Sequence, residues 1–197
     1  GLGAYNYLRP YNGLDGGASL AAACDEADFA KQSNVQKFNT GAWNQFSNPD
    51  DVFAHYYKGI RHANLFLEKT EEYKHILYED TLIASNKDIY LKNCDDFKKL
   101  RAEVRLLRAY FYFELVKRWG GVPLLKDEIT SLDQVKNIKR ATREELSNFI
   151  IDELTEVSDI LEKSPAIVAR ASKGTALTLL AKMYLLQEQW ENAAKTC

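Results

Sequence analysis

The sequence is poor in nearly everything that would mark a loop-rich, disulfide-bonded or membrane-spanning chain. Its 3 cysteines, Cys24, Cys94 and Cys197, lie far apart with no Cys-x-x-Cys pair. A disulfide framework or structural zinc site needs closer, even-numbered groups. The thiols are therefore expected to be buried small hydrophobes. With only 4 prolines and 10 glycines, long regular segments are favoured over many turns. No apolar run approaches the roughly 18 residues of a membrane span. The chain opens Gly1-Leu2-Gly3-Ala4-Tyr5, without the charged region and apolar block of a secretion signal. A net charge of -2 leaves no footprint for nucleic acid. There is no GxxxxGK[ST] phosphate loop, so the letters Asp25-Glu26-Ala27-Asp28 do not mark a nucleotide site. His55 and His62 share a helix without an HExxH companion, and are expected to be exposed or partly satisfied. No Ser-His-Asp, Cys-His or paired-carboxylate cluster emerges. Neither an enzyme site, nor a cofactor, nor a metal is expected.

What the chain has is a succession of amphipathic helices. Residues 1–48 form a loop-rich segment: tyrosines 5, 7 and 11, a Gly-rich stretch at 12–17, a helical piece around Ala21-Ala22-Ala23, and a polar surface loop over 31–48 that carries Trp43. Residues 49–197 form a helical region. Asn48 caps its first helix and Pro49 suits the first turn. Phe53, Tyr56, Ile60, Ala63 and Leu67 then recur at three and four, the spacing of a core-facing stripe. A weaker helix covers about 71–86. The strongest runs from Cys94, capped by Asn93, to Trp119. Its stripe of Leu100, Val104, Leu107, Phe111, Leu115 and Trp119 is widened by Leu106, Ala109, Phe113 and Val116, so it must be buried on several sides. Gly120-Gly121 and Pro123 stop it. After a loop over 122–141, Thr142 and Glu145 form a capping box for a helix that lasts to Ser164-Pro165. Ser172 caps the next, through Gln187, and another starts near Trp190. The expected fold is all-α, with tetratricopeptide-like helical repeats and no sheet beyond a short hairpin in residues 1–48.

The last segment has the spacing of a tetratricopeptide unit. Leu177, Leu180, Ala181 and Tyr184 suit its first helix, Ala193 is the small residue of the second, and Trp190 packs at the turn between them. A complete second helix needs more residues than follow Trp190. The chain is thus expected to be the N-terminal part of a longer protein.

Residues 101–125 read RAEVRLLRAYFYFELVKRWGGVPLL. This resembles the signature of the SusD/RagB family, in which an acid, a Leu-Arg-Ala-Tyr run, aromatics and a Gly-Gly-Val-Pro ending recur. Three further blocks resemble the family in the expected order: HYYKGIRHANLFLEK (55–69), RATREELSNFIIDEL (140–154) and SKGTALTLLAKMYLLQEQWENAA (172–194). The resemblance implies tetratricopeptide-like helix pairs supporting loop-rich segments. It implies a surface-facing lipoprotein of the outer membrane that binds an oligosaccharide beside a TonB-dependent transporter, touching the membrane only through an N-terminal lipid anchor. The anchoring Cys is absent from this chain, since Cys24 has no apolar leader. The competing reading of the helices is a tetratricopeptide scaffold that binds another protein.

Glu103 and Arg108 lie in the greasiest helix. An ion pair that fixes how helices stack fits them better than a catalytic acid. The favoured ligand site is the polar loop FNTGAWNQFSNPD, where Trp43 is followed by Asn44 and Gln45. Sugars present flat C–H faces and rings of hydroxyls, which an aromatic face and amides match; the alternative is a Trp43 folded back on the helices. Tyr11, with Tyr5 and Tyr7, is a weaker candidate. Asp25 joins the set because Asp25-Glu26 resembles the family's early Asp-Glu pair, which shapes a loop.

Overall fold

A computed structural model describes residues 2–10, 12–78, 86–127, 133, 136–165, 167 and 169–197. The described residues form helices and 3-10 turns joined by loops, with isolated bridges at Asn44–Ser47 and Pro123–Arg140. Two compact units result: Gly1–Asn6 with Tyr56–Cys197, and Tyr7–His55. The helices are α1 (Gln36–Thr40), α2 (Phe53–Lys69), α3 (Tyr73–Tyr78), α4 (Lys87–Trp119), α5 (Arg143–Ile160), α6 (Lys173–Leu186) and α7 (Trp190–Thr196).

The larger unit is built around α4, whose 33 residues contain neither Gly nor Pro to interrupt them. The middle of the predicted stripe is its core: Val104, Leu107, Phe111 and Leu115 are buried, as are Leu106, Ala109, Phe113 and Val116, while its ends, Leu100 and Trp119, are half-buried. The helix starts at Lys87, not Cys94, and Asn93 lies inside it rather than capping it. Its opening turns were not legible as core because Ile89 and Leu91 are exposed. At the far end Gly120 takes a φ of 67°, and its N–H donates to Val116 O at 2.9 Å. Against α4 lie α3, through Tyr73 stacked on Phe97 at 5.5 Å, and α2, through Tyr56 stacked on Phe111 at 5.8 Å. Gly59 lets the Phe111 ring approach the α2 backbone, since a Cβ there would lie 2.7 Å from Phe111 Cε2.

From α4 onward each helix packs on the next, the succession expected of tetratricopeptide-like pairs. Of the four predicted caps, those at Thr142 and Ser172 hold. Thr142 Oγ1 accepts from Glu145 N while Glu145 accepts from Thr142 N, and Ser172 and Thr175 repeat the arrangement. Ala181 and Ala193 are buried where α6 meets α7. Three further expectations for this part of the chain are revised. Helix α5 ends at Ile160, before Ser164-Pro165. Trp190 is 63% exposed instead of packed in the turn. Cys24 and Cys197 are exposed, and only Cys94 is partly covered.

Buried polar groups fix the geometry of this unit. Glu103 and Arg108 do not pair with each other. Glu103 takes Arg170 at 2.8 Å and the Tyr5 hydroxyl at 2.9 Å. Tyr5 also accepts from Ala171 N at 3.0 Å. Burial, partly offset by the Ala171 N–H, pushes the Tyr5 phenol up to about 12. Arg108 pairs with Glu153 of α5 at 2.9 Å and donates to Asn64 Oδ1 at 2.8 Å. Glu153 is also gripped by Arg105, at 2.7 Å. Burial alone would raise the Glu153 carboxyl, but the bonds and charges of Arg105 and Arg108 hold it below its ordinary value.

The same helices clasp an extended segment after α4. Tyr57 donates to Pro123 O at 2.7 Å, and Tyr112 Oη accepts from Leu125 N at 2.7 Å and donates to Leu125 O at 3.0 Å. Asn64 Nδ2 donates to Leu125 O and Asp127 O, and Arg108 to Lys126 O at 3.1 Å. The carbonyls of Pro123, Leu125, Lys126 and Asp127 and the N–H of Leu125 are thus satisfied by helix side chains, where a strand would use a neighbour.

In the smaller unit, Leu14, Ala18, Ala22 and Val35 form a core against which Phe29 and Phe38 pack. Helix α1 falls inside the stretch read as loop. Helix α2 starts at Phe53, later than Asn48, because local side-chain bonds compete with it: Asn48 Oδ1 accepts from Asp50 N and Asp51 Oδ1 from Phe53 N. The Arg9–Asp50 ion pair also lies in this unit.

Candidate functional site

The smaller unit carries the loop that the sequence singles out. Helix α1 ends at Gly41, whose φ of 66° turns the chain back on itself. The following residues present Trp43, 50% exposed. Its inner face is not free, because the Phe38 ring meets it at 5.9 Å with a tilt of 54°. Trp43 is thus propped on a neighbour while half its surface faces solvent.

Asn44 closes a tight turn. Its Oδ1 accepts from Phe46 N at 2.9 Å and Ser47 N at 3.1 Å, and its backbone pairs with Ser47 in both directions. One side of its amide is committed to the loop, which leaves the NH2 as its outward group. Lys37 Nζ reaches Ser47 Oγ at 2.9 Å, tying the turn to α1. Gln45 is exposed at the tip. Beside it stands Phe46, 90% exposed. Sequence reasoning passed over Phe46, although its place in an amide-rich loop was as visible as that of Trp43. Phe46 therefore offers a second, solvent-facing ring in the same turn.

The other candidates divide. Asp25 is exposed in the turn that follows the 3-10 helix Leu20–Ala23. Asn39 Nδ2 donates to Ala22 O at 3.1 Å, which brings that 3-10 helix against α1, yet no hydrogen bond joins Asp25 to the 43–45 loop among the described residues. Tyr11 lies outside the described residues. Tyr5 is committed to the Glu103 network of the other unit. Tyr7 lies 5.5 Å from the His55 ring, whose Nε2 meets Tyr7 O at 3.0 Å. Among the described residues no cluster of His, Cys, Asp and Glu could hold a metal ion, and no helix is long and apolar enough to cross a membrane.

Comparison with known proteins gives a consistent answer. The family model described as starch-binding associating with outer membrane matches residues 18–185. A SusD-like protein of Bacteroides ovatus is 36% identical over 95 residues, which are 48% of this chain and 17% of that protein. The crystal structure of a SusD-like protein from Bacteroides fragilis superposes with a TM-score of 0.72 at 26% identity, covering 100% of this chain and 35% of that one. A laminarin-binding SusD-like protein gives a TM-score of 0.66 at 25% identity, over 83% of this chain and 32% of that one. The chain therefore spans about a third or less of the length of these relatives. With the family model matched across most of its length and the helices laid out as in the solved relatives, the chain belongs to the SusD-like family.

Proposed function

We propose that this chain is the helical part of a glycan-capture protein that binds an oligosaccharide without cleaving it. Family membership carries the ligand class: the matching model is described as starch-binding, and one structural relative is described as binding laminarin. The proposal extends to an outer-membrane location through a lipid anchor, beside a TonB-dependent transporter that takes over the captured glycan.

Within the chain, the 43–46 turn suits the task best. Trp43 offers a half-exposed ring held in place by Phe38, and Phe46 offers a second ring. Gln45 and the Asn44 NH2 supply donors beside them. The bond from Asn44 Oδ1 to the turn lowers the entropy lost when a sugar settles on the rings. Asp25 and Tyr11 are proposed as further ligand contacts.

Calorimetric titration of the protein with maltotriose and laminaritriose tests this reading. Trp43→Ala should weaken binding by about 1–3 kcal/mol, taking ring stacking on nucleobases as a guide, without changing the helical circular dichroism. Unchanged affinity in both Trp43→Ala and Phe46→Ala would remove the turn from the site. Failure of every neutral glycan to bind the unaltered protein would refute the larger reading.

A further inference from the structure

A second recessed surface lies in the larger unit, between one face of α5 and the two ends of the 122–141 connection. It is a cleft of about 670 Å³. From α5 come Asn148, Phe149 and Asp152, while the connection contributes Lys126, Lys139 and Arg140.

Three observations mark it as preformed. The Lys126 rim is held by the clasp already described, in which Arg108 donates to Lys126 O and Asn64 to Leu125 O and Asp127 O. Arg108 and Asn64 are buried, and their bonds to three consecutive carbonyls fix where this backbone runs, although Arg108 Nε itself has no partner among the described residues. The opposite rim is held by Arg140, which donates to Gly121 O and Trp119 O, and by Ala141 N bonding Val122 O at 3.1 Å. The floor is fixed because Phe149 is packed edge-on by Tyr112 at 5.6 Å.

The charges on these rims are not all used internally. Lys126 Nζ sits 5.5 Å from the centre of the Phe149 ring. Neither it nor Lys139 forms an ion pair among the described residues. Two acids also line the cleft, Glu145, whose carboxylate accepts from Thr142 N in the capping box, and the exposed Asp152 on α5, against the three cations Lys126, Lys139 and Arg140. Ammonium groups at two pinned rims, with an amide and an acid facing them, match a sugar ring that carries a negative group.

We propose that this cleft binds an acidic saccharide unit, its carboxylate or sulfate held by Lys126 and Lys139 and its hydroxyls by Asn148 and Asp152. The assignment rests on the glycan-capture reading for the saccharide, but it concerns a surface separate from the Trp43 turn. The test is titration of the protein with trigalacturonate and with a sulfated chondroitin disaccharide, alongside maltotriose. At least one acidic probe should bind, more weakly as salt rises. Lys126→Gln/Lys139→Gln should weaken that binding about tenfold or more, the loss expected for charge-assisted hydrogen bonds. Binding of maltotriose should be unaffected by the double variant and sensitive to Trp43→Ala. If neither acidic probe binds, or the double variant binds them as well as the unaltered protein, the cleft assignment is overturned. Failure of maltotriose alone counts against the Trp43 turn and leaves the cleft standing.

Discussion

Glu153 is the residue whose loss should be felt most. It is 8% exposed and lies on α5, yet its charge serves α4. Its carboxylate accepts from Arg108 Nη2 at 2.9 Å, and from Arg105 Nη2 at 2.7 Å and Nε at 3.2 Å. Glu153→Gln keeps the shape and one acceptor but removes the negative charge. Arg108, itself 7% exposed, would then keep a cation with no counter-charge in contact. Removing one partner of a buried pair costs about 3–5 kcal/mol. Because the amide oxygen still accepts a bond and Arg105 can turn to Glu156, which it meets at 2.6 Å, the lower end, about 3 kcal/mol, applies. For a chain of this size that corresponds to a fall in Tm of roughly 6–12 °C. Urea denaturation followed by circular dichroism measures it. The pH dependence gives a second reading. The folded-state carboxyl is held below its ordinary value of 4.5, so its contribution is present above that pH and is lost as pH falls through the folded value. The difference between unaltered protein and Glu153→Gln should narrow below about pH 4.5. A loss under about 1 kcal/mol at neutral pH, or a gap that does not change with acid, would refute the view that the α4–α5 contact depends on this charge.

Two further substitutions probe other parts of the frame. Phe111→Ala empties a site that is 0% exposed and should cost about 3–5 kcal/mol in chemical denaturation; a loss under about 1 kcal/mol would mean the stripe on α4 is not core. Gly121→Ala would place a Cβ 2.2 Å from Ala141 O, so the turn and the start of α5 must separate; lower thermal stability and faster exchange of the Ala141 amide are expected, and an unchanged melting curve would refute the close approach.

The parts of the fold legible in the sequence were those where periodicity and caps agree. Leu107, Phe111 and Leu115 announced the core of α4, and Thr142 with Glu145 announced the start of α5. Boundaries failed where solvated residues carry on a helix, as at Ile89 and Leu91, or where Asx turns compete with one, as at Asn48 and Asp51. The partners of Glu103 and Arg108 could not be read at all, because Arg170 and Glu153 lie 67 and 45 residues away and no local pattern links them. At the loop, composition pointed to Trp43. That Phe38 props it, and that Asn44 is half committed to its own turn, follow from backbone geometry that composition does not encode.

The clasp on residues 122–127 also bears on how such a protein can change over evolutionary time. Tyr57, Asn64, Arg108 and Tyr112 hold main-chain atoms of Pro123, Leu125, Lys126 and Asp127; every residue type offers the same carbonyl, and every one but proline the N–H taken at Leu125. The grip is therefore indifferent to which side chains the gripped segment carries. The exposed positions 126 and 127, of which Lys126 lines the cleft, can exchange their charges for an amide or an aromatic while the backbone stays where it is. If the cleft binds as proposed, ligand preference can vary there without loss of stability. Divergent relatives should differ most at these exposed positions and least at the four helix residues that hold them.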